Sequence, residues 1–136
     1  ALSSFGKWVQ ATTLPGHDYT MLLTRYRLTT GGSSGISGLT SLSSVCKPNA
    51  QSIIQHGFNS MSIAIAAHEL GHGLGAQHDG QSNTCTAADG YIMSASSMFN
   101  TTNQWSFSSC SVLKYFQPYI ASLGMRSCMS VLSEGS

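Results

Sequence analysis

Residues 68–79 read HELGHGLGAQHD, three histidines and a glutamate whose spacing suits one zinc ion. On a helix, His68 and His72 project from one face, one turn apart. Glu69 follows the first histidine, about 100° round the axis, which sets it beside a metal rather than on it. Gly75 can take positive φ, end the helix and turn the chain, so that His78 returns as a third ligand from outside. Three protein nitrogens leave a fourth tetrahedral position for water, the arrangement of a catalytic zinc. Glu69 is then the general base for that water, and the zinc would polarise a scissile carbonyl. An isolated HExxH arises in helices by chance. The longer HExxHxxGxxH fixes five positions, three of them histidine, in a chain with 5 histidines altogether. Gly71, Gly73 and Gly75 each disfavour a helix by roughly 1 kcal/mol relative to alanine, so a plain packing helix would gain nothing from them.

This pattern resembles the zinc motif of the metzincin metalloproteases, and Asp79 after the third histidine resembles their adamalysin (reprolysin) branch, the snake-venom and disintegrin-and-metalloprotease type. Tyr91-Ile92-Met93-Ser94 resembles the family's methionine turn, His17 to Thr24 its HDxxxLLT strand, Gly35 to Leu39 running into Cys46 its GxxGL…C segment, and Phe107 to Ser111 the start of its last helix. The resemblance spans about His17 to Cys128. It implies an α/β (α+β) metzincin-like zincin: a truncated small sheet with an edge strand over the zinc helix, an irregular methionine-turn region and a C-terminal helix. It also implies a secreted zinc-dependent endopeptidase acting on extracellular proteins, with Met93 as a soft apolar floor under the imidazoles.

The chain has 136 residues, a length that suits one domain with a real core. Residues 1–128 are read as a partial catalytic domain and 129–136 as a polar tail. Lys and Arg number 6 against 5 Asp and Glu, a net charge of +1, with no basic cluster, so nucleic acid is not an expected partner. No apolar run reaches the length of a membrane span. The first residues have neither the basic start nor the apolar core of a signal peptide. The expected partner is a protein or peptide substrate; any propeptide or C-terminal accessory domain lies outside the chain.

Cys46, Cys85, Cys110 and Cys128 form no C-x-x-C pair, which points to two disulfides in an oxidising compartment. Four cysteines allow three connectivities; the resemblance implies Cys46–Cys128 and Cys85–Cys110. Asn100-Thr101-Thr102 is a glycosylation sequon.

The elements that must position these residues are legible in part. Residues 3–12 suit the end of a helix, 18–27 a strand, 31–35 a turn or loop, and 36–42 a short edge strand. No element is assigned to 43–59. Residues 60–74 form the zinc helix, whose stripe Ile63, Ala67, Leu70 and Leu74 should pack on the sheet, opposite the histidines. Residues 80–107 read as irregular. Residues 108–122 form the last helix, capped by Ser108 or Ser109, with Val112, Leu113, Phe116 and Ile120 inward and a kink at Pro118.

The family's domain begins with strands and helices before HDxxxLLT, and the chain shows no candidate for those central parallel strands. Its calcium site needs an asparagine where Val131 stands, so calcium is not expected. The family proline near Ala95 is also absent. An extended substrate should lie along Gly38, Leu39 and Thr40 towards Leu42, because main-chain pairing accepts any sequence. Ile65 shares the metal face and, with Ala95 and Ser96 opposite, should form an apolar pocket for the residue after the cut. The alternative to an enzyme is a catalytically weak protease-like domain that binds proteins through the same cleft.

Overall fold

The computed structural model describes residues 1–57, 59–96, 101–124 and 128–129. Helix α1 (Leu2–Ala11) carries Phe5 into a small core with Leu28 and Ile53, and Leu2, Val9 and Ile36 pack round it. Strand β1 (Thr20–Thr24) follows, then β2 (Leu28–Thr30), β3 (Ser33–Ile36), β4 (Gly38–Thr40) and β5 (Gln51–Gln55). Helix α2 (Ser60–Gly73) carries the first two histidines and Glu69. The last helix opens as a π-helical stretch, Cys110–Phe116, and continues as α3 (Gln117–Leu123).

The sheet that supports the site has the order β1–β5–β4. Strand β5 pairs in parallel with β1, Thr20 opposite Gln51 and Thr24 opposite Gln55, and antiparallel with β4, Gly38 opposite Ile54. Strand β5 is thus central, with a parallel neighbour, within the span 43–59 to which the sequence reading assigned no element; the strands expected before HDxxxLLT are a separate matter and stay absent among the described residues. The segment QSIIQ has only two apolar residues, yet Gln51 to Ile54 are all buried. A central strand usually announces itself by a longer apolar run, and here serine and glutamine take that place. The edge position expected for 36–42 holds for β4, which is shorter, and the segment before it belongs elsewhere. Gly31 and Gly32, both at positive φ, make the turn of a hairpin between β2 and β3 rather than a plain loop. Thr29, Thr30, Ser33 and Ser34 face solvent on that ribbon, so no apolar alternation marked it.

Helix α2 starts at the N-cap Asn59, whose side chain accepts from the Ser62 amide. It packs on β4 and β5 through a stripe other than the expected one. Ser62, Glu69 and Gly73 are buried on it, whereas Ile63 is 65% and Leu70 37% exposed. The expected apolar stripe lies to one side of the sheet, and the face laid on the strands is made of small and polar residues because the backbones approach closely there. A side-chain carbon at Gly73 would stand 3.2 Å from the Tyr19 ring and 3.3 Å from Val45. The helix ends in a Schellman arrangement: the Ala76 amide reaches the Gly71 carbonyl, the Gly75 amide reaches that of His72, and Gly75 has φ 95°. The amides of Ser43, Ser44 and Val45 satisfy the His72 and Gly73 carbonyls as well, so the loop after β4 is tied to the end of the helix.

A second core joins Ala76, Met93 and Phe116, with Phe107, Val112 and Tyr115 against it. Ser108 caps the last helix, its Oγ accepting from the Ser111 amide. Leu113 and Ile120, expected inward, are 61% and 39% exposed. The π-helical turn is wider than an α-turn, so Ser111, Val112, Tyr115 and Phe116 share the inner face instead. Pro118 sits in the first turn of α3, where its missing N–H falls at the change of winding. Cys46 is bonded to Cys128 across 82 residues and Cys85 to Cys110 across 25. Loops of that length contribute about 3–5 kcal/mol per bridge in the chain-entropy description. The sequon at Asn100 and the tail from Ser130 lie outside the described residues. Among the described residues, no helix is long and apolar enough to cross a membrane.

Candidate metal centre and cleft

Helix α2 presents His68 and His72 one turn apart, and the reversal at Gly75 brings His78 back to them. The Nε2 atom of His78 lies 3.2 Å from that of His68 and 3.2 Å from that of His72. A zinc ion with Zn–N bonds of about 2.0–2.1 Å in a tetrahedron sets its nitrogens about 3.3–3.4 Å apart, close to this spacing. The far sides of two rings are already tied down. His68 Nδ1–H donates to the Ile92 carbonyl at 2.6 Å and His72 Nδ1–H to the Ala76 carbonyl at 2.7 Å. Those bonds select the tautomer with a bare Nε2 lone pair, as carbonyl partners do for metal-bound histidines. Lone pairs converging at 3.2 Å repel one another unless a cation lies among them, so the residues present fit a metal. Burial lowers the pKa of His68 to about 4 and lowers that of His72, which keeps both rings in the neutral, ligating form.

Glu69 is buried beside the triad, and desolvation raises its pKa to about 7. A cation held by the histidines opposes that shift, because opposite charge favours the carboxylate. Met93 is fully buried with Ala76 and Phe116, in the tight turn where the Ser94 amide meets the Tyr91 carbonyl. Gly71 is what admits it: a side-chain carbon there would be 2.5 Å from the Met93 sulfur. Asp79 points away from the cleft. Its backbone amide donates to the Met93 carbonyl, and its buried carboxylate accepts from Ser108 Oγ at 2.6 Å, joining the third-histidine segment to the last helix.

A cleft of about 530 Å³ gathers nearly all the residues singled out from sequence: His68, Glu69, His72 and His78 line it together with Gly38, Leu39, Thr40, Ile65, Ala95 and Ser96. Met93, Asp79 and Gly75 support it from outside. Leu42, at the far end of the expected substrate strand, lies beyond β4 and is 48% exposed.

One positioning residue escaped the sequence reading. Asn83 accepts from the amides of Gly80 and Cys85 at 3.0 and 3.2 Å, and its Nδ2 donates to the carbonyls of His78 at 2.8 Å and Gln81 at 3.0 Å. It thereby holds the backbone that delivers the third ligand. The available signal was an asparagine in a short glycine-containing loop between a ligand and a cysteine, where its amide mimics a backbone turn. Asn83→Ala is expected to weaken zinc binding about 10–100-fold, as loss of outer-shell partners does. Competition against a chromophoric chelator measures it, and unchanged affinity would show that Cys85 and Asp79 alone hold the loop.

A family model described as Reprolysin (M12B) family zinc metalloprotease matches residues 1–131. The human protein "A disintegrin and metalloproteinase with thrombospondin motifs 6" is 31% identical over 128 residues, covering 82% of this chain and 12% of that protein. The mouse protein of the same name series numbered 12 is 33% identical over 111 residues, 74% of this chain and 7% of its own length. The bovine protein numbered 2 is 38% identical over 69 residues, 51% of this chain and 6% of its own length. The chain thus spans a small part of the curated relatives it matches.

Proposed function

The chain belongs to the reprolysin (M12B) family of zinc metalloproteases, and we propose from that premise that its cleft hydrolyses peptide bonds within extracellular proteins. The observation that carries this reading is the convergence of three histidine Nε2 atoms beside a buried carboxyl, in a cleft walled by an edge strand. When bound, zinc supplies Lewis acidity, lowering the pKa of a water towards about 7 and polarising the peptide carbonyl. His68, His72 and His78 would hold it through Nε2, and the carbonyls of Ile92 and Ala76 keep two of the rings oriented. Glu69 takes the proton from the attacking water on a carboxylate oxygen and passes it to the departing amide nitrogen. A carboxylate within reach of both the water and the leaving nitrogen suits both halves of that transfer.

Strand β4 supports binding of an extended chain, since its outer edge has no strand partner among the described residues. Its free amides and carbonyls can pair with a substrate main chain whatever the side chains. Specificity then falls to side pockets. Ile65 is half-buried and lines the cleft, as do Ala95 and Ser96. Two disulfides support action in an oxidising, extracellular setting.

Incubating the complete protein with a peptide library, with and without a zinc chelator, tests the reading. Cleavage that chelation abolishes is expected, with leucine or another bulky apolar residue favoured after the cut by about 10-fold over a residue one methylene smaller. A profile dominated by charged residues at that position would count against the Ile65 pocket. Tight peptide binding without cleavage would favour a binding module over an enzyme.

A further inference from the structure

Glycine at position 38 has no backbone reason to be there. Gly35 nearby has φ 91°, a conformation that side chains avoid, whereas Gly38 has no such positive φ and is an ordinary strand residue paired opposite Ile54. Alanine would fit that backbone. The reason for glycine is space: a Cβ at Gly38 would overlap Glu69 Oε1 and stand 2.6 Å from its Cγ and 2.7 Å from its Cδ. These are separations that real carbon atoms do not adopt, and the obstacle is most of a side chain rather than one flexible tip. The carboxyl of Glu69 therefore lies flat on the bare backbone of β4.

Polar contacts do not explain its orientation. Among the described residues, no hydrogen bond or ion pair holds the Glu69 carboxyl. Tyr19 and Thr40 bond elsewhere: Tyr19 Oη to Thr40 Oγ1 at 2.9 Å, and Thr40 Oγ1 to the Gln51 main-chain carbonyl at 3.0 Å. Van der Waals contact is what is left to fix the carboxyl, and Gly38 supplies it.

We propose that Gly38 is a positioning residue for Glu69: the missing side chain on β4 makes the seat of the general base, so one strand both pairs with the substrate and aims the carboxyl that takes the proton from the attacking water. The proposal rests on the peptidase reading for its consequence, though the contact itself does not. An added methyl at residue 38 pushes the carboxyl away from the strand, and a displacement of about 1 Å in a reacting group can cost on the order of 100-fold.

Two cycles in the complete protein test it. The first reads the contact without any reaction. Gly38→Ala is expected to lower the melting temperature, and Gly38→Ala made together with Glu69→Ala is expected to melt with Glu69→Ala alone, because the methyl then occupies the space the carboxyl left. A melting loss that persists without the Glu69 side chain would overturn the contact. The second cycle reads peptide hydrolysis at full zinc content. Gly38→Ala should lower kcat about 10–100-fold with KM changed less than about 3-fold. Glu69→Asp, one methylene shorter, should cost far less in the Gly38→Ala background than in the parent, since the shorter side chain clears the methyl. Losses that simply multiply, or a loss confined to KM, would overturn the positioning role. If the parent protein cleaves nothing while the melting cycle behaves as expected, the seat stands and the peptidase reading falls.

Discussion

Glu69→Gln keeps zinc bound at about one ion per chain and loses most peptide cleavage, by about 10²–10⁴-fold in kcat. The amide has the shape of the carboxylate, so it still lies on β4 at Gly38 and leaves the histidine triad undisturbed. What it lacks is basicity. In the parent, burial places the carboxyl pKa at about 7 before any cation is present, and the proton taken from water must be held and then released to the leaving nitrogen. An amide nitrogen or oxygen does neither. Metal analysis and single-turnover hydrolysis on the same preparation separate the two effects. Undiminished cleavage, with contaminating protease excluded, would remove Glu69 from the mechanism.

Replacing His68, His72 and His78 together by alanine abolishes stoichiometric zinc binding and, with it, hydrolysis. No other group of three histidine, cysteine, aspartate or glutamate side chains among the described residues is placed to hold an ion, so nothing is positioned to take over. The single variants should divide by how each ring is supported. His68 and His72 sit on one helix with their far nitrogens bonded to carbonyls, and losing either leaves a polar cleft with two converging rings. His78 arrives from a loop held by Asn83 and Asp79, so its loss should leave the helix pair intact and weakly metal-binding. Zinc content of the purified variants by atomic absorption gives the answer directly. Full zinc in the triple variant would place the metal elsewhere.

The same loop shows why the site is more than its ligands. Three elements are tied to the segments that carry the ligands: the methionine turn through the Met93 carbonyl, the last helix through Ser108, and the reversal at Gly75 through Ala76. Each removes a degree of freedom from a ligand. Removing one partner should therefore appear first in zinc affinity and only later in melting temperature, because the disulfides hold the surrounding loops closed.

From the residues alone, the chemistry of the centre was legible. Helical geometry makes His68 and His72 neighbours and sets Glu69 beside them whatever the rest of the chain does, and Gly75 is where such a helix can turn. These are local consequences, carried by spacing within twelve positions. The disulfide pairing is different: composition left three possibilities, and only the resemblance chose among them. What tertiary structure decided was which surfaces meet. Strand β5 is central because Ile53 and Ile54 are covered from both sides, by α1 and its core on one side and by α2 on the other, and a five-residue segment with serine and glutamine in it carries no mark of that. The apolar stripe of α2 did not become its buried face: Ser62 and Gly73 let the helix approach the sheet closely and Gly38 on the strand makes room for Glu69, so these lie there instead of Ile63 and Leu70. Leu113 turned outward because the last helix begins in π winding, a change of pitch that no residue in Cys110 to Phe116 announces. Gly38 is the sharpest instance. Its sequence neighbours suggest only a weak strand, and the reason for the glycine lies across space, in a glutamate 31 positions later that needs somewhere to rest.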